Sequence, residues 1–132
     1  MIIHPAIIVL SDNALPLATK IAGEIGGAIH GLEKRVAGPN IVAIKELQSH
    51  LQALFLAGTP IVAVMASGAL VRLLASVLQD KKSDPPVLAI SEDGASIVPL
   101  LGGHHGANEM ARSLAAKLDA HAAVTTAGDS KF

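Results

Sequence analysis

"TPIVAVMASGALVRLLASVL", residues 59–78, admits two readings. The apolar run is nearly long enough for a membrane-spanning helix. Arg72 near its middle, and the Ser67-Gly68 pair that divides it, argue instead for a buried strand over 59–66, a turn, and a buried helix over 67–82. Lys81 and Lys82 then fall near that helix's C-terminal end, where cations suit the dipole. A strand followed at once by a helix is the repeating unit of an α/β fold.

The same unit recurs on both sides of it. "PAIIVL" (5–10) is a short apolar run rich in β-branched residues, and "SDN" (11–13) is a helix-start signal. Pro16 falls in a first helical turn, Leu17, Ala18, Ile21, Ala22 and Ile25 make a stripe at helical spacing, and Gly26-Gly27 ends it. "AIHGL" (28–32) suits a second strand, "EKRVAGPN" (33–40) a loop, and "IVAI" (41–44) a brief apolar run. Leu47, Leu51, Leu54 and Phe55 form the next helical stripe, closing at Gly58. "PVLAIS" (86–91) and "ASIVPLL" (95–101) flank "EDG", a hairpin signal. Ala107, Met110, Ala111, Leu114, Ala115 and Leu118 share one helical face, and "AAVTTAGD" (122–129) supplies a last strand. The expected fold is α/β: three layers, α/β/α, around a mostly parallel but mixed sheet that includes one β-hairpin.

At 132 residues the chain has the size of one domain, here residues 1–132. A parallel fold would usually add a helix after the last strand, so the expectation is the N-terminal piece of a longer polypeptide. Half the residues are hydrophobic but only 2% are aromatic, so Ala, Leu, Ile and Val must fill the core. A net charge of −1 shows no global bias toward nucleic acid or an anionic membrane. With no Trp or Tyr and only Phe55 and Phe132, there is no stacking platform for single-stranded nucleic acid. With no cysteine there is no disulfide, thiolate metal site or thiol nucleophile, and a reducing cytoplasm is compatible. No signal peptide and no membrane partner are expected; a homo-oligomer is left open.

In an open parallel sheet, ligands bind outside the carboxyl ends of the strands. Four segments are expected to meet there: "SDN" (11–13), "ASG" (66–68), "GGHHGAN" (102–108) and "TTAGD" (125–129). Helix starts in two of them attract anions, and Arg72, one turn into its helix, could grip a carboxylate bidentately. No nucleotide signature fits, because "GGHHGAN" lacks the P-loop Lys-Ser/Thr ending and the Rossmann glycine spacing. His104 and His105 are either polar turn residues or a proton-carrying site; two adjacent histidines make poor metal ligands, so no metal and no cofactor are expected. Asn108 either caps its helix or serves chemistry, and Glu109 either pairs with Arg112 or acts as a base. Arg72 is otherwise an exposed helix charge or a partner of Asp80 or Glu92. His4, His30, His50 and His121 read as structural or solvated.

"VMASGALVR", "DKKSDPPVLAISEDGASIVPLLGGHHGANEMARSLAAKL" and "AAVTTAGD", in that order, resemble the N-terminal domain of CbiG, the cobalt-precorrin-5A hydrolase family of cobalamin biosynthesis. Ser67, Gly68 and Arg72 match its strand–turn–helix motif; Lys82, Asp84 and Pro85 match the loop before the hairpin. Gly103, His104, Gly106, Ala107, Asn108 and Glu109 match its signature turn. The family turn usually has one glycine more and a Ser where Gly102 stands, with an apolar residue in the place of His105.

The resemblance implies a precorrin or other corrinoid small molecule as the ligand, whose acetate and propionate groups fit an anion-seeking crevice. It implies opening of a lactone on the contracted macrocycle with release of acetaldehyde. His104 or Glu109 would activate water, Asn108 and the helix N-terminus would hold the oxyanion, and Ser67, Gly68, Arg72, Lys82, Asp84, Gly103 and Gly106 would bind substrate. A second expectation is a non-catalytic corrinoid-binding module, fused to or serving a precorrin-3B methyltransferase; that activity would lie outside these residues. A third, on fold analogy alone, is a flavodoxin-like domain for an unrelated small anion.

Overall fold

The computed structural model describes residues 3–80 and 83–126. Lys81, Lys82 and the end of "TTAGD" lie outside the described residues.

Strand β1 (Ala6–Val9) leads through a 3-10 turn into helix α1 (Leu15–Ile25), with Pro16 in its first turn. Strands β2 (Ala28–Leu32) and β3 (Ile41–Ile44) follow, then helix α2 (Leu47–Leu56). The stretch at 59–78 resolves into strand β4 (Ile61–Val64) and helix α3 (Ser67–Leu74). Strands β5 (Val87–Ile90) and β6 (Ser96–Leu101) form the hairpin, and helix α4 (Ala107–Leu118) precedes the short strand β7 (His121–Ala122). No helix among the described residues is long and apolar enough to cross a membrane.

The sheet order is β3-β2-β1-β4-β5-β6-β7. Strands β1 to β5 run parallel, β6 is antiparallel to β5, and β7 is parallel to β6. Alternate residues of each strand face opposite sides. Ile7, Val9, Val62, Val64, Leu88 and Ile90 pack beneath α1 and α4, while Ile8, Ile61, Ala63, Val87 and Ala89 pack beneath α2 and α3. The expected three-layer α/β/α architecture is thus the observed one, and strands covered on both faces explain the continuous apolar runs.

Three local expectations change. Helix α3 stops at Leu74 and a 3-10 turn covers Ala75–Val77, so the helix does not run to residue 82. Gln52 of α2 donates its side-chain amide to the Leu73 carbonyl (3.0 Å) and to Ser76 Oγ (3.1 Å), which ends the helix by a tertiary contact. The last strand is only two residues long, paired with Ser96 and Ile97, and residues 123–126 carry no strand. Ser11 makes no side-chain cap; Asp12 instead accepts a bond from the Ala37 amide at 3.2 Å, tying the 33–40 loop to the start of α1.

His30 of β2 meets His50 of α2 with ring nitrogens 2.8 Å apart. Burial, then the neighbouring His50, holds the His30 pKa below its ordinary value, and burial lowers that of His50 as well. The native state therefore resists protons that the unfolded chain accepts near pH ~6.5. Stability should be level above that pH and fall below it. Urea midpoints at pH 7.5 and 5.5 should show the loss, and His50→Ala should shrink it.

Candidate functional site

Because β6 runs against β5, it delivers the 102–108 turn to the amino edge of the parallel strands. Segments 11–13 and 66–68 leave the carboxyl ends of β1 and β4, at the opposite edge. The four-residue strand between the edges spans roughly 13 Å. The expectation that all four segments share one crevice is corrected by this reversal. Thr125 and Thr126 follow β7, which is parallel to β6, and so join the signature turn.

At the carboxyl edge, Ser67 borders a small cleft of about 200 Å³ with Met65, Ser91 and Ser96. Arg72 is exposed and donates from Nη1 to the Gly68 carbonyl at 3.4 Å, inside its own helix. Ser67, Gly68 and Arg72 therefore do not face His104. Lys82 lies outside the described residues.

At the amino edge a cavity of about 400 Å³ is lined by Asp80, Asp84, Gly102, Gly103, His104, Asn108, Thr125 and Thr126, among others. A second, of about 340 Å³, is bordered by Gly103, His104, Gly106, Asn108, Glu109 and Arg112. Gly103, His104 and Asn108 belong to both, so they form the partition between them.

The turn is built on its backbone. Gly102, with φ +69°, closes a 3-10 turn over Gly103–His105, its carbonyl accepting from the His105 amide (2.9 Å) and the Ala107 amide (3.1 Å). A Cβ on Gly102 would stand 2.8 Å from the Pro85 carbonyl and Pro86 Cα. This explains why a glycine stands at the position. Gly103 likewise leaves room for the Asn108 amide and Thr126 Oγ1, which a Cβ there would meet at 3.3–3.4 Å.

Two polar side chains are buried beneath the turn. Asp84, 6% exposed, accepts from the Gln79 amide through Oδ1 at 3.0 Å. Asn108, 4% exposed, donates from Nδ2 to Thr126 Oγ1 at 3.1 Å. Asn108 is not the helix cap; that position belongs to Gly106. His105 donates from Nδ1 to the Asp84 carbonyl at 3.3 Å and fastens the turn to the loop before β5. His104 and Glu109 are exposed at the cavities. The Asn108–Thr126 bond and the His105 tether escaped residue-by-residue reasoning, because each joins residues about twenty positions apart in sequence.

The N-terminus of α4, the positive end of its dipole, adds positive potential beside His104. The edge thus offers exposed proton-carrying groups, Arg112 and a helix N-terminus around a walled space. Such a set can orient an anionic ligand and move a proton at it. Among the described residues no group of three His, Cys, Asp or Glu side chains gathers into a metal site.

The model of the family described as "Cobalamin synthesis G N-terminal" matches residues 49–129. A cobalt-precorrin-5A hydrolase of Priestia megaterium is 42% identical over 80 residues, covering 60% of this chain and 21% of that protein. The protein of the same name from Salmonella typhimurium (strain LT2) is 44% identical over 72 residues, covering 54% of this chain and 20% of its own. The chain thus spans about a fifth of the length of these curated relatives. A crystal structure of a cobalamin biosynthesis protein G homologue from Sulfolobus solfataricus superposes with a TM-score of 0.69 at 25% identity, over 92% of this chain and 36% of that one.

Proposed function

The chain belongs to the cobalamin synthesis G N-terminal family, and we propose that its amino-edge cavity binds a carboxylate-rich precorrin intermediate for hydrolytic opening of a lactone. One observation carries this: Asp84, Gly103, His104, Asn108 and Thr126, drawn from separate segments, converge on one cavity. The two similar curated proteins carry the name of that hydrolase.

Glu109 takes a proton from water as the oxygen attacks the lactone carbonyl. The oxyanion faces the N-terminus of α4, at the positive end of the helix dipole. As the ring C–O bond breaks, Glu109 returns its proton to the leaving alkoxide, which becomes a hydroxyl, and the new carboxylic acid ionises to solvent as a carboxylate. His104, on the partition between the cavities, donates to a ligand oxygen and holds the macrocycle in place. Asn108 shapes the turn through Thr126 and does not itself meet the oxyanion. Arg112 and, through its match to the family loop, Lys82 are assigned to peripheral carboxylates; Ser67, Gly68 and Arg72 fall to the other edge.

A specific observation favours a second assignment. His104 and Glu109 are both exposed, so water reaches the groups that a closed hydrolase site would shield. The domain would then hold a corrinoid for a fused or separate corrin-pathway enzyme such as a precorrin-3B methyltransferase. Lactone opening, followed by the acetaldehyde released with it, separates the two. Glu109→Gln should slow opening about 10²–10⁴-fold with binding retained. Unchanged opening would remove the catalytic assignment and leave the module.

A further inference from the structure

Away from the cavities, the structure brings together two histidines that no feature of the corrinoid reading uses. His30 pairs in register with Ile8 of β1, whose side chain lies beneath α2 and α3, so His30 faces that helix layer. His50 comes to it from α2. His30 Nδ1 and His50 Nε2 are 2.8 Å apart, the ring centroids 5.0 Å apart and the planes at 73°. Both rings are half-buried. One N–H therefore lies between two ring nitrogens that converge on the same small space.

We propose that His30 and His50 form a two-histidine site for a divalent transition-metal cation of the Cu²⁺, Ni²⁺ or Zn²⁺ class, bound by the two facing ring nitrogens while the shared proton moves to the outer nitrogen of its own ring. Imidazole nitrogens bind such ions at roughly 2.0–2.1 Å. Two bonds of that length at a right angle set the nitrogens about 2.8–3.0 Å apart. The observed 2.8 Å matches adjacent corners of a square-planar or octahedral sphere. A tetrahedral ion needs about 3.3 Å, a wider opening of the pair.

Both ligands stand on well-held elements. Strand β2 is paired on both sides, by β1 and β3, and α2 is anchored by the fully buried Leu51 and by Phe55. Ligands on such elements keep their separation more closely than ligands on loops. Among the described residues no third His, Cys, Asp or Glu joins them, so water fills the remaining positions. Two imidazoles and water suit tetragonal Cu²⁺ best, and Cu²⁺ also heads the general affinity order for nitrogen sites.

The probe is Cu²⁺ itself, titrated into the whole chain at pH 7.5 in a non-coordinating buffer and read by paramagnetic resonance and thermal melting. Wild type should bind one ion with hyperfine coupling to two nitrogens and should melt higher in its presence, since binding to the native state raises stability. His50→Ala should bind at least tenfold more weakly and lose the rise in melting temperature. His50→Gln gives the same comparison should the alanine variant fail to fold. Replacing His104 and His105 together should leave the tight site intact. Wild-type affinity in the His50 variants, or loss of the tight site in the His104/His105 variant, would overturn the proposal.

Discussion

Gly102→Ala is expected to cost about 2–5 kcal/mol, the left-handed backbone contributing roughly 1–2 and the steric overlap roughly 1–3. At φ +69° any Cβ is strained, and here it would also stand 2.8 Å from Pro85 and Pro86. Those contacts are to backbone atoms, which cannot rotate out of the way as a side chain can. Relief requires moving the turn or the loop before β5. Either shift breaks the Gly102 carbonyl's bonds to the His105 and Ala107 amides and the His105–Asp84 tether. The variant should therefore lose stability and cavity shape together. Urea denaturation and corrinoid affinity would be measured on the same sample; a wild-type midpoint would contradict the packing described.

The layers were legible because their physics is local. Apolar runs with no alternation at 61–64 and 87–90 belong to strands covered on both faces, and all eight of these residues are buried. The stripes at Ala18 and Ile21 and at Ala111, Leu114 and Ala115 face the core as their spacing requires. What was not legible depends on distant partners. No residue near Leu74 announces the end of α3, since the cap comes from Gln52. The pairing of His30 with His50 exists only once α2 has packed on β2.

The site was half legible. The "GGHHGAN" turn stood out by residue type and Asp84 by the family resemblance, and they do meet. Their edge was misplaced, although "EDG" held the needed information. A hairpin makes β6 antiparallel, so whatever follows β6 leaves at the amino edge of its neighbours. Burial of Asn108 could not be read from its place in an N-terminal turn, because Thr126 supplies the partner. A polar side chain so well buried is held by its hydrogen bond, and losing one partner costs about 1–3 kcal/mol.

The most direct measurement is a visible-absorbance titration of the chain with a stable carboxylate-rich corrinoid, comparing wild type, His104→Ala and Arg72→Ala. His104 lies on the partition at the amino edge and Arg72 on a helix that starts at the carboxyl edge. A hydrogen bond to a charged ligand group is worth about 1.5–3 kcal/mol, so removing His104 should weaken binding roughly 10- to 100-fold. Arg72→Ala should leave affinity unchanged. A saturable shift weakened by His104→Ala alone places the ligand at the signature turn; a shift weakened by Arg72→Ala and not by His104→Ala would contradict the amino-edge site.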